Sequence, residues 1–203
     1  MTLLNFWRDF MAITKEAIVK ASLDILNRDG ISNLSMRTLA KELEIKAASL
    51  YWHIKDKQAL YDLIAEHLNN EIVLPEELDD AKEALTALAF EVRRVLLKTR
   101  DAVEVFAQSM PTTPSRLKAV KFTLENLTKY GVSDQNCLVA GNLFNNYVLS
   151  FVADEHRAKQ FTYTPEEVTA FTSFFGEQYH YSFDFEEQFL YGLRVIFAGL
   201  HSE

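Results

Sequence analysis

Apolar residues recur at three- and four-residue spacing in one segment after another along this 203-residue chain, and that spacing constrains its fold more than any other feature. Ala17, Ile18, Ala21, Ile25 and Leu26 form the first stripe, opened by the good N-cap Thr14 and stopped by Asp29-Gly30. Ser35 opens a short second helix in which Leu39, Ala40 and Leu43 face inward, and Glu44-Ile45 leaves room only for a tight connection before a third helix over 47–52. Asp56 caps a fourth, whose Leu60, Leu63, Ile64 and Leu68 run toward Val73 until Pro75 ends it. Further helices are expected over 80–100, from there to 109, and over 115–130, 133–155, 165–176 and 184–200. No segment alternates as a half-buried strand does, so the fold class is all-α.

Composition excludes several other classes. With 48% apolar and 25% charged residues, six Gly and four Pro, the chain is neither low-complexity nor disordered. A single cysteine, Cys137, closes no intramolecular disulfide and builds no Cys-rich metal site, which fits a reducing cytoplasm. No apolar run approaches the roughly 18 residues of a membrane helix, so no membrane partner is expected. Residues 1–13 form an N-terminal extension whose Leu3, Leu4, Phe6, Trp7, Phe10 and Met11 suit one face of a short helix; it lacks the basic start and cleavage site of a signal peptide.

The net charge of −8 argues against nucleic acid only until its distribution is considered. Residues 11–57 carry eight basic and six acidic side chains, whereas 58–203 carry twelve basic and twenty-two acidic. Two modules with different partners follow: a small head over 14–60 and a helical body over 61–203. Two short helices joined by a tight turn, in a basic segment after a longer helix, have the layout of a helix-turn-helix. Lys46, Ala47, Ala48 and Ser49 at the start of the second short helix would then project into a groove, where small side chains let the backbone approach base edges and Ala touches a thymine methyl. Good helix formers on an exposed turn would look the same.

The run Leu34-Ser35-Met36-Arg37-Thr38-Leu39-Ala40-Lys41-Glu42-Leu43, followed by Ala47-Ala48-Ser49-Leu50-Tyr51-Trp52-His53-Ile54-Lys55-Asp56-Lys57, closely resembles the DNA-binding domain of the TetR family of bacterial repressors, in particular its tetracycline-repressor branch. The likeness covers about residues 14–68 and continues more faintly through Thr99-Arg100-Asp101 and Ala153-Asp154-Glu155-His156. It implies an all-helical homodimer, with DNA-binding heads on a ligand-binding body, that releases a palindromic operator when a small effector binds. Carried onto this chain, the resemblance puts Arg37 on a base or phosphate, Lys46, Ala47, Ala48 and Ser49 over base edges, Tyr51 and His53 on phosphates, and Lys57 at the backbone beside a helix N-terminus. Trp52 is expected to anchor the short helix in the core, and a core role for His53 competes with phosphate contact. One departure is Glu44, where many relatives have Gly: the turn must avoid a left-handed conformation or hold it under strain.

The body is rich in aromatics, interrupted by Gln108-Ser109 and by Asn142, Asn145 and Asn146 within a long apolar helix. A pocket is expected among His67, Asn70, Phe90, Phe106, Ser109, Asn142 and Asn146, although dimer contacts or solvent account for the Asn side chains equally well. In the branch resembled, a drug and its magnesium are held by residues whose counterparts here include Leu88, Val92, Phe106 and Val73; Phe106 and Val73 cannot ligate a metal. A metal-free aromatic or lipophilic effector, and no cofactor, is expected. The stripe of Phe185, Phe189, Leu193, Ile196, Phe197 and Leu200, with Gly192 and Gly199 permitting close approach, is broader than one neighbouring helix needs and is assigned with the 133–155 helix to a two-fold dimer interface.

Two other classes fit the sequence less well. Glu177-x-x-His180 has the spacing of helical di-iron proteins, but such sites need two copies and further carboxylates. There is no His-Glu-x-x-His, phosphate loop or nucleophile elbow, so no catalytic residue and no metal ligand is assigned. A helical adaptor would account for the bundle but not for the helix-turn-helix residues.

Overall fold

The computed structural model of the chain describes residues 13–161, 164–175 and 184–200. The expected extension before Ile13 and the Glu177-x-x-His180 motif lie outside the described residues. Among these run ten α-helices and no strand: α1 (Lys15–Asp29), α2 (Met36–Glu42), α3 (Ala47–Leu50), α4 (Lys57–Asn70), α5 (Ala81–Leu96), α6 (Ala102–Gln108), α7 (Pro114–Tyr130), α8 (Asp134–Ala158), α9 (Pro165–Phe175) and α10 (Phe185–Leu200).

The helix starts follow from local chemistry. Thr14 Oγ1 accepts the Ala17 N–H at 3.1 Å, Ser35 Oγ accepts that of Thr38 at 3.1 Å, and Asp56 Oδ1 accepts that of Ala59 at 2.8 Å. Each cap stabilises its helix by about 1 kcal/mol. The end of α2 shows how a turn without glycine is held. Ile45 N–H donates to Ala40 O at 2.9 Å and Glu44 N–H to Lys41 O at 3.1 Å, the paired bonds of a Schellman ending, which require a left-handed residue between them. Glu44 takes that conformation at φ 55, at a cost of about 1–2 kcal/mol. The corresponding position after α7 is Gly131, at φ 108, with the same pair of bonds from Gly131 and Val132.

The chain divides into two compact units, one of residues 1–75 and 90–122, the other of 76–89 and 123–203. This division differs from a boundary after residue 60, because all of α4, the end of α5, α6 and the start of α7 fold with the head. In the first unit Ile18, Ile25, Leu26, Leu34, Leu39, Leu50, Leu60 and Ile64 are fully buried. The α5–α6 connection is fastened to the end of α1: Asp101 Oδ2 accepts the Ile31 N–H at 2.7 Å, and Asn27 Oδ1 accepts the Arg100 N–H at 2.9 Å. Gly30, at φ 80, lies under this contact, and a Cβ there would meet the Arg100 guanidinium and Asp101 carboxylate at 3.0 Å.

One face of α4 carries polar side chains at four-residue spacing, Gln58, Asp62 and Glu66, which grip in turn the end of α6, the α6–α7 connection and the start of α7. Gln58 Nε2 donates to Gln108 O at 2.6 Å, Asp62 Oδ1 accepts the Met110 N–H at 3.2 Å, and Glu66 accepts the Ser115 N–H at 3.1 Å and its hydroxyl at 2.6 Å. Glu66 thus caps α7 from another helix. Burial pushes its carboxyl up, but the hydrogen bonds from Ser115, Thr113 and Asn70 outweigh that and hold it below the ordinary glutamate range.

The second unit is built on aromatics. Phe189, Leu193 and Phe197 of α10 are almost wholly buried. Phe197 lies 5.4 Å from Tyr130 and 6.4 Å from Phe144, while Phe189 stacks on Tyr147 at 5.6 Å and touches Phe151 at 5.0 Å, centroid to centroid. The expected dimer stripe is corrected here: Phe189, Leu193 and Phe197 serve the protomer's own core, and α10 leaves Tyr191 and Val195 exposed instead. Gly192 also has an internal reason. A Cβ on it would fall inside the Tyr147 ring and hydroxyl, which reaches over the α10 backbone to donate to Phe189 O at 2.8 Å. At Gly199 a Cβ meets nothing. Asn142, Asn145 and Asn146 are exposed on α8, so they are not amides buried within the protomer.

Two outcomes follow. Gly192→Ala should cost about 1–3 kcal/mol by overpacking, and combining it with Tyr147→Leu should cost less than the two changes summed; a neutral Gly192→Ala in urea unfolding contradicts this contact. Because the folded pKa of Glu66 is lowered, its contribution is complete at neutral pH and lost as pH falls through that lowered value. The stability gap between wild type and Glu66→Gln should therefore be widest at neutral pH and close below about pH 4.3, the unperturbed glutamate value; a gap unchanged by acid removes the charged cap.

Candidate nucleic-acid interface

The two short helices α2 and α3 pack on each other and α2 packs on α1. Helix α3 is a single turn, shorter than the two turns expected, and the chain continues helically enough for Ile54 N–H to donate to Leu50 O at 3.0 Å. Its register decides which side chains face outward. Ala47, Ala48, Tyr51 and Trp52 occupy one face and are exposed, Trp52 at 70% and Tyr51 at 53%. Ser49 and Leu50 share the opposite face with His53 and Ile54, and Ser49 is buried. Two sequence expectations are thereby corrected. Ser49 faces the head's interior and not base edges, and Trp52, expected in the core, stands at the exposed tip. Four-residue spacing was the signal: Trp52 follows Ala48, and His53 follows Ser49.

Arg37, Lys46 and Lys57 are exposed, whereas His53 is half-buried. Lys57, the first residue of α4, holds its ammonium 5.3 Å from the Tyr61 ring centroid, beside a helix start already capped by Asp56. Not every cation of the head is free for phosphate. Arg28 is engaged by Glu42 through two bonds of 3.1 and 2.9 Å and by Asp29 at 2.9 Å. Hydrogen bonding to Arg28 holds the Glu42 carboxyl below its ordinary value. This tie joins the end of α1 to that of α2 and fixes the short helices on the longer one. Arg37 at the start of α2 and Lys46, Ala47, Ala48, Tyr51 and Trp52 on and beside α3 are thus all exposed, with Lys57 nearby in sequence, and supply cations, aromatic rings and methyl groups of the kinds a groove receives.

In the body, the expected pocket residues divide. Phe106 and Ser109 of the first unit are buried, and Phe90 is half-buried with the Arg93 guanidinium 6.0 Å from its centroid. His67 and Asn70 are exposed on α4, His67 lying 3.5 Å from Glu71 at the C-cap of that helix. Asn142 and Asn146 belong to the second unit and share the exposed α8 face with Leu138, Val139 and Leu143. The structure adds a residue that the sequence reading passed over. The half-buried Arg116 places its guanidinium 4.7 Å over the Phe106 ring and donates to Ser109 O at 3.3 Å and to the Ser109 hydroxyl. A cation in the first turn of a helix opposes the helix dipole, and that was the available signal. Among the described residues no three His, Cys, Asp or Glu side chains converge as a metal site, and no helix is long and apolar enough to cross a membrane.

Comparison with known proteins agrees with this architecture. Residues 18–64 match the family described as bacterial regulatory proteins, tetR family, and residues 74–203 the tetracyclin repressor-like C-terminal domain. An HTH-type transcriptional regulator of Saccharopolyspora erythraea is 34% identical over 144 residues, which is 70% of this chain and 61% of that protein. The class D tetracycline repressor of Escherichia coli is 30% identical over 194 residues, covering 92% of this chain and 88% of the repressor. Among solved structures, the TetR family protein ActR of Streptomyces coelicolor in complex with actinorhodin is similar with a TM-score of 0.77 at 26% identity, covering 94% of this chain and 96% of that one. BioQ with its double-stranded DNA operator is similar with a TM-score of 0.72 at 26% identity, covering 94% and 99%. With family matches over both its head and most of its body, the chain belongs to the TetR family of transcriptional repressors and is not an enzyme.

Proposed function

We propose that this repressor binds a two-fold-symmetric operator as a homodimer and is released by a metal-free aromatic or lipophilic effector held in its body. The observation that carries the DNA-binding half is the exposure of Arg37, Lys46, Ala47, Ala48, Tyr51 and Trp52 on and beside the two short helices of a chain whose net charge is −8. Local cations oppose the overall charge where a groove would lie, and phosphate binding needs such a patch. Arg37 supplies the bidentate fork that reads guanine; Tyr51, His53 and Lys57 serve the backbone. Trp52 joins them as a ring for the sugar-phosphate edge. The likeness to an operator-bound structure supports this reading.

Dimerisation is proposed through the apolar side chains that α8 and α10 leave uncovered, Leu138, Val139 and Leu143 on one and Tyr191 and Val195 on the other. Partly buried Phe185, Ile196 and Leu200 border this face, and open Gly199 permits a close helix approach. Asn142 and Asn146 lie on the α8 face and fit a role in fixing its pairing register. A two-fold pair sets its heads on half-sites roughly 34–36 Å or a multiple apart.

Effector control is proposed at Phe90, Phe106 and Ser109. A likeness to ActR with a bound small molecule supports a ligand-responsive body, while Phe106 and Val73 offer no metal ligand. For the ligand to release DNA, it must bind the off-operator form more tightly than the operator-bound one.

The test is selection of a preferred site from random duplex DNA followed by salt-dependent binding. Wild type should select a palindrome. Arg37→Ala should cost about 1–3 kcal/mol and relax discrimination at one base position in each half-site, whereas Lys57→Ala should weaken all sequences alike and lower the salt slope by about one. Affinity unchanged in both variants, or a selected site without symmetry, contradicts the proposal.

A further inference from the structure

Arg116 lies against the buried pair Phe106 and Ser109, stacked on the ring of one and hydrogen-bonded to the other. Its guanidinium is half-buried, and burial pushes its pKa down from the ordinary arginine value, as happens to a cation short of compensating charge. The carboxylates facing it are Asp62 and Glu66 of α4, which attract it but are committed elsewhere. Asp62 Oδ1 holds the Met110 N–H and Gln58 Nε2, each at 3.2 Å, and Glu66 caps Ser115. Among the described residues no carboxylate lies within ion-pair distance of Arg116, and all its hydrogen bonds go from one terminal nitrogen to Ser109. The Nε–H and the other terminal amino group therefore keep the planar, paired donor geometry that fits a carboxylate.

Placement adds to this. Phe106 covers one side of the guanidinium at 4.7 Å, which restricts an incoming partner to the edge or the opposite side.

We infer that Arg116, with Phe106 and Ser109, forms an anion-binding subsite, and that the effector is an organic acid with an apolar ring body and a carboxylate or comparable acidic oxygen. The inference rests on the proposed effector-controlled function and narrows its ligand class. The acid pairs with the open edge of Arg116, while the apolar body meets Phe106 and Phe90. The site also touches the signalling route. Arg116 holds the carbonyl of Ser109 just after α6, and α4 grips the adjoining stretch through Gln58, Asp62 and Glu66, so an anion on the open edge of Arg116 lies one side chain away from that network.

The test uses the full-length protein in buffer containing a metal chelator, with 2-naphthoate and its neutral isostere 2-naphthamide as probes in calorimetric titrations. Wild type should bind naphthoate saturably and at least about tenfold more tightly than the amide, the scale of a hydrogen-bonded charge pair. Arg116→Gln should abolish that preference and Arg116→Lys should keep part of it. Equal affinity for the two probes in wild type, no saturable naphthoate binding up to its solubility, or a preference that survives Arg116→Gln overturns the subsite. The wild-type comparison decides without any variant, so misfolding of Arg116→Gln leaves the result standing. Operator binding measured on the same samples separates the two levels: a protein that binds its operator but treats the probes alike loses only the subsite, while one that prefers the acid but selects no operator loses the repressor mechanism.

Discussion

The polar face of α4 is the contact on which the rest of the first unit depends. Gln58, Asp62 and Glu66 each hold a backbone or hydroxyl group of the connection between α6 and α7, while Leu60, Ile64 and Leu68 of the same helix are buried. The helix is thereby fixed on two sides: apolar burial holds it in the head, and hydrogen bonds, two of them to carboxylates, tie it to the stretch around 108–115. The Gln58 and Asp62 bonds are exposed and those of Glu66 part-buried, so each contributes about 0.5–1.5 kcal/mol. These bonds join α4 directly to the end of α6 and the start of α7, so a rearrangement of one is expected to reach the other. The Asp101 bond to the Ile31 N–H at 2.7 Å adds a separate tie to the end of α1, so the head is held from the α5–α6 connection as well.

The second unit meets a different constraint. Its core is a cluster of rings, and Tyr147 fits only because Gly192 has no side chain. Aromatic packing of this kind is specific in geometry and buries large areas, which leaves α8 and α10 firmly seated while other parts of their surfaces stay apolar and open. The same two helices thus carry two apolar faces. One, with Phe189, Leu193 and Phe197, is used within the protomer; the other, with Leu138, Leu143, Tyr191 and Val195, is exposed on it.

Much of the fold was legible because its signals are local. Thr14, Ser35 and Asp56 accept hydrogen bonds three residues on, as N-caps do, and the apolar spacing located every helix to within a few residues. The strain anticipated at Glu44 is present at φ 55. What failed was register and partner. Lys46, Ala47, Ala48 and Ser49 were grouped because they are adjacent in sequence, yet a single helical turn sends Ser49 inward and returns Trp52 to the outside. The α10 stripe was too wide for one neighbour, but width alone does not say which part another helix of the same chain covers. Arg116 was missed because it lies outside any motif; its contacts with Phe106 and Ser109 are made by folding.

Amide hydrogen exchange on the full-length protein with and without operator DNA shows whether α4 and the α6–α7 connection respond as one element. Met110 and Ser115 N–H groups report the connection, because their acceptors are Asp62 and Glu66 of α4. On operator binding, protection at these two amides should change together with that of the α4 backbone, and the correlation should weaken in an Asp62→Asn, Glu66→Gln double variant. Protection that changes along α4 while Met110 and Ser115 stay as they were would show that the head moves independently of the connection, and would contradict the account.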